Sequence, residues 1–211
     1  MSRHPLRRPT SLFAAHGRRI IVVLMVAAVG VVLAVPSTAS ADVSKEHAKA
    51  YKAQLGEFST YMRQQEAVFD SHSQTATNFV AMIQNSLVNP DLLAAAKKMC
   101  LDIRADWQDT VQDDSRAAAK EIASFRAHAL TWFPRKTAKA DKKSFLAALK
   151  TLQGGFTQMF DAERGLSSAL FSLGVGADIA SANSKIFAAG GQAITASDLL
   201  DDGLKGLRKL Q

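Results

Sequence analysis

Cysteine is almost absent from this sequence, since Cys100 is the single cysteine among 211 residues. One cysteine cannot form a disulfide within its own chain, so no covalent cross-link holds the fold together. Cys100 lies on an apolar helical stripe. This position favours a small buried side chain over a reactive thiol or an intermolecular bridge.

Familiar motifs of helical and hydrolytic enzymes are also missing. There is no E-x-x-H for a di-iron centre, no C-x-x-C-H for covalent haem attachment, and neither G-x-S-x-G nor H-E-x-x-H. No nucleophile with a neighbouring base can be named. The sequence therefore favours a non-enzymatic protein, with no catalytic, cofactor-binding or metal residues and no cofactor.

The first 41 residues have the organisation of an export signal. Residues 1–19 contain five arginines and no acidic residue, residues 20–35 are an apolar run, and Ala39-Ser40-Ala41 is a small-residue cleavage site. This order is typical of a secretory signal peptide. We expect cleavage after Ala41 and a secreted or extracytoplasmic protein. An uncleaved membrane anchor is the alternative, although the apolar run is shorter than the roughly 20 residues of a spanning helix.

Removal of the signal changes the charge of the protein. The whole chain has a formal charge of +7, but the remaining 21 basic and 19 acidic residues leave only +2. A general nucleic-acid-binding function is therefore not expected. Residues 42–211 are enough for a single domain with its own core.

Apolar residues recur three or four positions apart through the rest of the chain, which is typical of amphipathic helices. Breaks at Asn89-Pro90, Pro134 and Gly174-Val175-Gly176 divide the pattern into helices of about 44–88, 90–133, 138–173 and 177–210. The expected fold is all-α, an elongated up-down-up-down four-helix bundle with coiled-coil packing. Gly190-Gly191 is an expected point of kinking in the last helix.

Four polar residues interrupt the apolar seams of these helices. Counting outward from the corners places Gln65 level with Asp114, and His72 level with Glu163, with about 10 Å between the two layers. These layers are the candidate site. Buried His72 and Glu163 could bind a ligand or metal, or titrate as a pH-sensitive pair. We favour the interpretation that the layers set helix register.

An acidic stripe on the second helix is a weaker candidate. Asp102, Asp106, Asp109 and Asp113 lie on one face and could collect cations. Lysine and arginine residues share or adjoin that face, so an ion-paired solvent surface is the favoured interpretation.

We expect a non-enzymatic binding protein whose partner is an unknown protein or an envelope component. Two alternatives follow from single features. Small and apolar residues alternate from Gly165 to Gly191, which would suit a hairpin that inserts into lipid, so membrane contact stays open. His47 and Tyr51, one helical turn apart, could ligate haem noncovalently, giving a haem or metal carrier. Neither oligomeric state nor ligand follows from the sequence.

Overall fold

Four long helices account for nearly all of residues 40–132 and 138–210, which are the residues that the computed structural model describes. The helices are α1 (Ser40–Ser86), α2 (Pro90–Trp132), α3 (Ala138–Gly176) and α4 (Ile179–Arg208). No strand occurs in either described range. The expectation of an all-α bundle of four long helices is confirmed. The predicted signal peptide lies outside the described residues, apart from Ser40 and Ala41 at the start of α1.

Two described corners join consecutive helices, α1 to α2 and α3 to α4. At the first, the Asn89 side chain accepts hydrogen bonds from the backbone N–H groups of Asp91, at 3.1 Å, and Leu92, at 3.2 Å. This is an N-cap, and Pro90 fits the first helical position because it has no N–H to satisfy. At the second corner, the Asp178 carboxylate caps α4 by accepting from Ser181 N at 2.9 Å.

Hydrogen bonds between the helices show their relative directions. They join Gln54 to Glu121, Gln65 to Asp114, Tyr51 to Leu207, and Glu66 to Ser197. As residue numbers increase along α1, the residue numbers of their partners on α2 and on α4 decrease. Helix α1 therefore runs antiparallel to both of these neighbours.

The core is a continuous apolar seam from all four helices. Towards the N-terminal end of α1, it is an aromatic cluster of Tyr51, Phe58, Phe125 and Phe145. The ring centroids of Tyr51 and Phe125, and of Phe58 and Phe125, lie 5.4 Å apart. The Tyr51 hydroxyl donates to the Leu207 carbonyl oxygen at 2.9 Å. The ring is buried while its polar atom keeps a partner.

The predicted turn at Gly174-Val175-Gly176 is wrong, because α3 continues through it to Gly176. Gly174 serves close packing instead: an added Cβ would lie 2.6 Å from Leu101 Cγ and 3.1 Å from the Lys97 carbonyl oxygen of α2. The chain turns at Ala177, which has a φ of 52°. Its N–H donates to the Leu173 carbonyl oxygen at 3.0 Å, closing a left-handed helix cap.

Helix α4 is continuous through Gly190 and Gly191, so the expected kink does not break it. Helix ends otherwise differ by a few residues from their expected positions, since α1 runs from 40 to 86 and α4 from 179 to 208. Among the helices described, none is long and apolar enough to cross a membrane.

Candidate functional site

The predicted layer of Gln65 and Asp114 forms between α1 and α2. Gln65 Nε2 donates to Asp114 Oδ2 at 3.2 Å, and both residues are buried. The Tyr61 hydroxyl donates to the Asp114 carbonyl oxygen at 3.2 Å. Burial raises the pKa of the Asp114 carboxyl, while the hydrogen bond from Gln65 partly opposes that change.

His72 and Glu163 meet in the second layer, across α1 and α3. His72 Nδ1 lies 2.6 Å from Glu163 Oε2, and the Glu163 side chain is only 1 % exposed. The tautomer of the imidazole decides which of the two atoms supplies the shared hydrogen. Their use as a functional site stays a prediction, because a buried pair of this kind also serves to set helix register.

Trp107 completes this layer from α2. Its ring stacks on the His72 imidazole with centroids 4.0 Å apart and planes 21° from parallel. The sequence places Trp107 level with His72 by counting from the corner, but it gives no sign that the two rings stack. The imidazole is thus held by an indole face and by a carboxylate, which fixes its orientation.

Polar atoms in and near the second layer are not all satisfied. Glu163 Oε1, Ser167 Oγ and Arg104 Nε are buried and have no hydrogen-bond partner within the described part of the chain. The Arg104 guanidinium lies 4.7 Å above the centre of the Phe171 ring, a cation–π contact between α2 and α3 that the sequence did not predict.

The chemistry open to these layers is limited. A histidine oriented by a carboxylate can act as a base, but the hydrogen bonds and ring contacts of His72 bring no nucleophile to it. Across the described residues, no three His, Cys, Asp or Glu side chains converge to hold a metal ion.

The other sequence candidates are placed as follows. The hydroxyl of Tyr51 is engaged with Leu207, and burial raises the pKa of Tyr51 to about 12. Cys100 is buried, and burial raises the pKa of its thiol to about 11, so the thiolate is disfavoured. On the acidic stripe, Lys98 Nζ lies 2.6 Å from Asp102 Oδ2, and Arg116 Nη1 lies 3.8 Å from Asp113 Oδ1.

A second feature of the structure is the set of exposed apolar residues at the two corners. Val88 is 92 % exposed, Leu92 57 % and Leu87 52 % at the first corner, and Val175 is 55 % exposed beside the second. The contact of Gly174 with Leu101 and Lys97 places the last turn of α3 beside residues 97–101 of α2. We use "apolar end" for these four residues.

Comparison with known proteins adds no relative. The sequence matches no family model, no curated protein and no solved structure at a significant level.

The apolar end was missed by sequence reasoning, although one signal for it exists. Leu87 and Val88 stand directly before the capping residue Asn89, where a solvent-exposed corner is usually polar. The helical pattern assigned Leu87 to the core seam. Helix α1 ends at Ser86, so Leu87 leaves that seam and faces solvent.

Proposed function

We propose that this chain is an exported, non-enzymatic binding module: an elongated up-down-up-down four-helix bundle, led out of the cytoplasm by residues 1–41. The observation that carries the proposal is the apolar end. Exposed apolar patches on soluble proteins commonly mark contacts with partners. Export itself rests on the signal-like sequence of the first 41 residues.

The bundle supplies a rigid support for this surface. Buried side chains line all four helices, and the hydrogen bonds of Gln65 with Asp114 and of His72 with Glu163 join α1 to α2 and to α3. A contact surface held by rigid helices loses little conformational entropy when a partner binds. Leu87, Val88 and Leu92 lie on either side of a corner that Asn89 caps, so their backbone is held in place.

The partner that fits best is a protein with an apolar patch. Asp91 and Asp178 stand at the two corners, and no lysine or arginine occurs between residues 86 and 96 or between 173 and 184. An anionic lipid surface would be repelled by carboxylates at that position, whereas a protein patch with a basic rim would be attracted.

The size of the protein in unfractionated cultures tests the proposal. The gently solubilised cells and the culture medium are each fractionated by size-exclusion chromatography, and the protein is detected by antibody. We expect the wild type to elute in a complex larger than its own assembly. Val88→Ser with Leu92→Ser should elute as the free protein, and the exposed control Ala119→Ser should behave like the wild type. Elution of all three at the size of the purified protein would overturn the proposal.

Lipid insertion by the Gly165 to Gly191 hairpin is the second candidate, and one observation favours it. Phe171, Val175 and Phe187 of this hairpin are exposed, at 44, 55 and 87 %. Against it, Gly165 already serves packing within the bundle, because an added Cβ would lie 3.2 Å from Ala189 Cβ.

Dye release from neutral and anionic liposomes separates the two candidates. Insertion would release dye and would change the fluorescence of Trp107, because opening the hairpin removes α3 from the layer in which this ring stacks on His72. The binding-module proposal predicts neither change.

A further inference from the structure

Helix α4 carries an outward face that the bundle leaves uncovered. Phe187 is 87 % exposed and Ile194 is 68 % exposed. They are seven residues apart, which places them on the same side of the helix, two turns from each other. This face lies along the side of the bundle and is separate from the apolar end.

Two glycines lie between these apolar side chains, and packing within the bundle does not require them. A Cβ added at Gly190 or Gly191 would meet nothing within 4 Å. Gly203 of the same helix differs, because a Cβ there would lie 2.6 Å from Leu152 N. Adjacent glycines weaken a helix, yet they let another helix backbone approach closely.

The order of residues along this face is symmetric about the peptide bond between the two glycines. Phe187 and Ile194 lie at equal distances from that point, as do Asn183 and Asp198. A second helix running antiparallel over this point would therefore set Phe187 against Ile194 and Asn183 against Asp198. A two-fold interface requires this kind of self-complementary surface.

We propose that the α4 face of Asn183, Phe187, Ile194 and Asp198 binds a second copy of this chain. The two α4 helices cross antiparallel, with their glycines at the two-fold axis. Phe187 of each copy packs on Ile194 of the other. The contact buries four large apolar side chains that are exposed in the single chain, which favours association.

Charge complementarity selects this antiparallel arrangement. Asp198 and Asp201 are exposed towards the C-terminal end of the face. In a parallel pair of helices, each aspartate would lie beside the same aspartate of the second copy, and the two carboxylates would repel each other. In the antiparallel pair, Asp198 lies opposite the Asn183 amide of the second copy, which can donate to it. Asp201 lies opposite uncharged Ala180.

An open depression beside the glycines provides room for the second copy. It lies between α3 and α4 and is lined by Gln158, Asp161, Ala188, Gly191, Gln192 and Thr195.

Sedimentation equilibrium of the exported protein, with its N-terminus identified by mass spectrometry, tests the proposal. The wild type should be a dimer at micromolar concentration. Phe187→Ser with Ile194→Ser should raise the dimer dissociation constant by at least about 100-fold, since each copy loses two central apolar contacts. Ala119→Ser, which is exposed on α2 rather than on α4, should not change it. A wild type that is monomeric throughout, or a dimer indifferent to the α4 substitutions, overturns the proposal.

An exchange of side chains tests the register independently of folding. Asn183→Asp places two carboxylates opposite each other and should weaken the dimer about tenfold or more. Adding Asp198→Asn restores one carboxylate opposite one amide and should recover wild-type affinity. Failure of that rescue overturns the antiparallel arrangement. Liposome flotation of a monomeric wild type, lost in the Phe187 and Ile194 variant, would assign the face to lipid and also overturn the proposal.

Discussion

His72 Nδ1 lies 2.6 Å from Glu163 Oε2, although the two residues are 91 positions apart in the sequence. The carboxylate is almost fully buried, and its other oxygen has no hydrogen-bond partner among the described residues. A buried carboxylate with a single hydrogen-bond partner has only that partner to offset the cost of its burial. A buried pair of this kind can serve specificity of helix register more than net stability, and that role stays a prediction for His72 and Glu163.

Removing one member of this pair should be costly. We predict that His72→Ala lowers the free energy of unfolding by about 3 kcal/mol, because Glu163 is left buried and unpaired. The double variant His72→Leu with Glu163→Met should lose less than that, since no charge stays buried. Urea unfolding followed by circular dichroism measures both. A double variant less stable than His72→Ala would contradict this account.

Adjacent glycines in α3 should respond in opposite ways to the same change. A Cβ at Gly155 would lie 2.8 Å from the backbone nitrogen of Leu200, whereas a Cβ at Gly154 would meet nothing within 4 Å. Gly155→Ala should therefore destabilise the protein by about 1–3 kcal/mol. Gly154→Ala should stabilise it by about 1 kcal/mol, because alanine favours the helix. Thermal melting of the two variants should shift in opposite directions, and equal shifts would contradict the packing described.

These glycines also show what the sequence could and could not predict. Spacing of apolar residues predicted four helices, and counting about the corners marked by Pro90 and Pro134 placed His72 level with Glu163. The position of a glycine in the sequence does not show whether it turns the chain or lets two helices pack closely. Gly174 and Gly176 looked like a turn, but Gly174 admits Leu101 of α2, and the residue that turns the chain is Ala177.

Exposure was the other property that periodicity could not give. Phe187 and Leu87 are as apolar as any core residue, but one lies off the buried stripe of α4 and the other follows the end of α1. Both facts depend on how helices rotate and where they stop. Stacking of Trp107 on His72 likewise depends on rotamers, which helical spacing does not specify.

The free energy of unfolding should fall in alkaline solution because buried Cys100 and Tyr51 ionise there, and a substitution at each residue separates the two contributions. Burial raises the pKa of Cys100 from 9.0 to about 11 and that of Tyr51 from 10.0 to about 12. The neutral forms are favoured in the folded state, so this stabilisation is complete below the ordinary pKa and is lost as pH rises through the raised one.

Each group should contribute a loss of roughly 2–3 kcal/mol across its own range. Cys100→Ala should lessen the decline between pH 9 and 11, and Tyr51→Phe should lessen the decline between pH 10 and 12, to which Tyr61 also contributes because burial raises its pKa. Urea unfolding at successive pH values measures this. A wild type whose stability is unchanged over that whole range would contradict the burial of both groups.

Export should depend on the small residues before Asp42. We expect mass spectrometry of the secreted protein to show Asp42 as its first residue. Ala41→Phe should leave the signal attached and the protein with the cells, because the cleavage site needs a small side chain there. Ser40→Ala is the control and should be processed normally. Secretion of the Phe variant starting at Asp42 would contradict the assigned site.

Photo-crosslinking in producing cells tests the central claim most directly. A photoreactive amino acid replaces Val88 at the apolar end or, as the control, Ala119 on the exposed side of α2. The account predicts a discrete protein adduct from position 88 and none from 119, with the position 88 adduct lost when Leu92→Ser is added. Equal crosslinking from both positions, or none from position 88, would contradict binding through the apolar end.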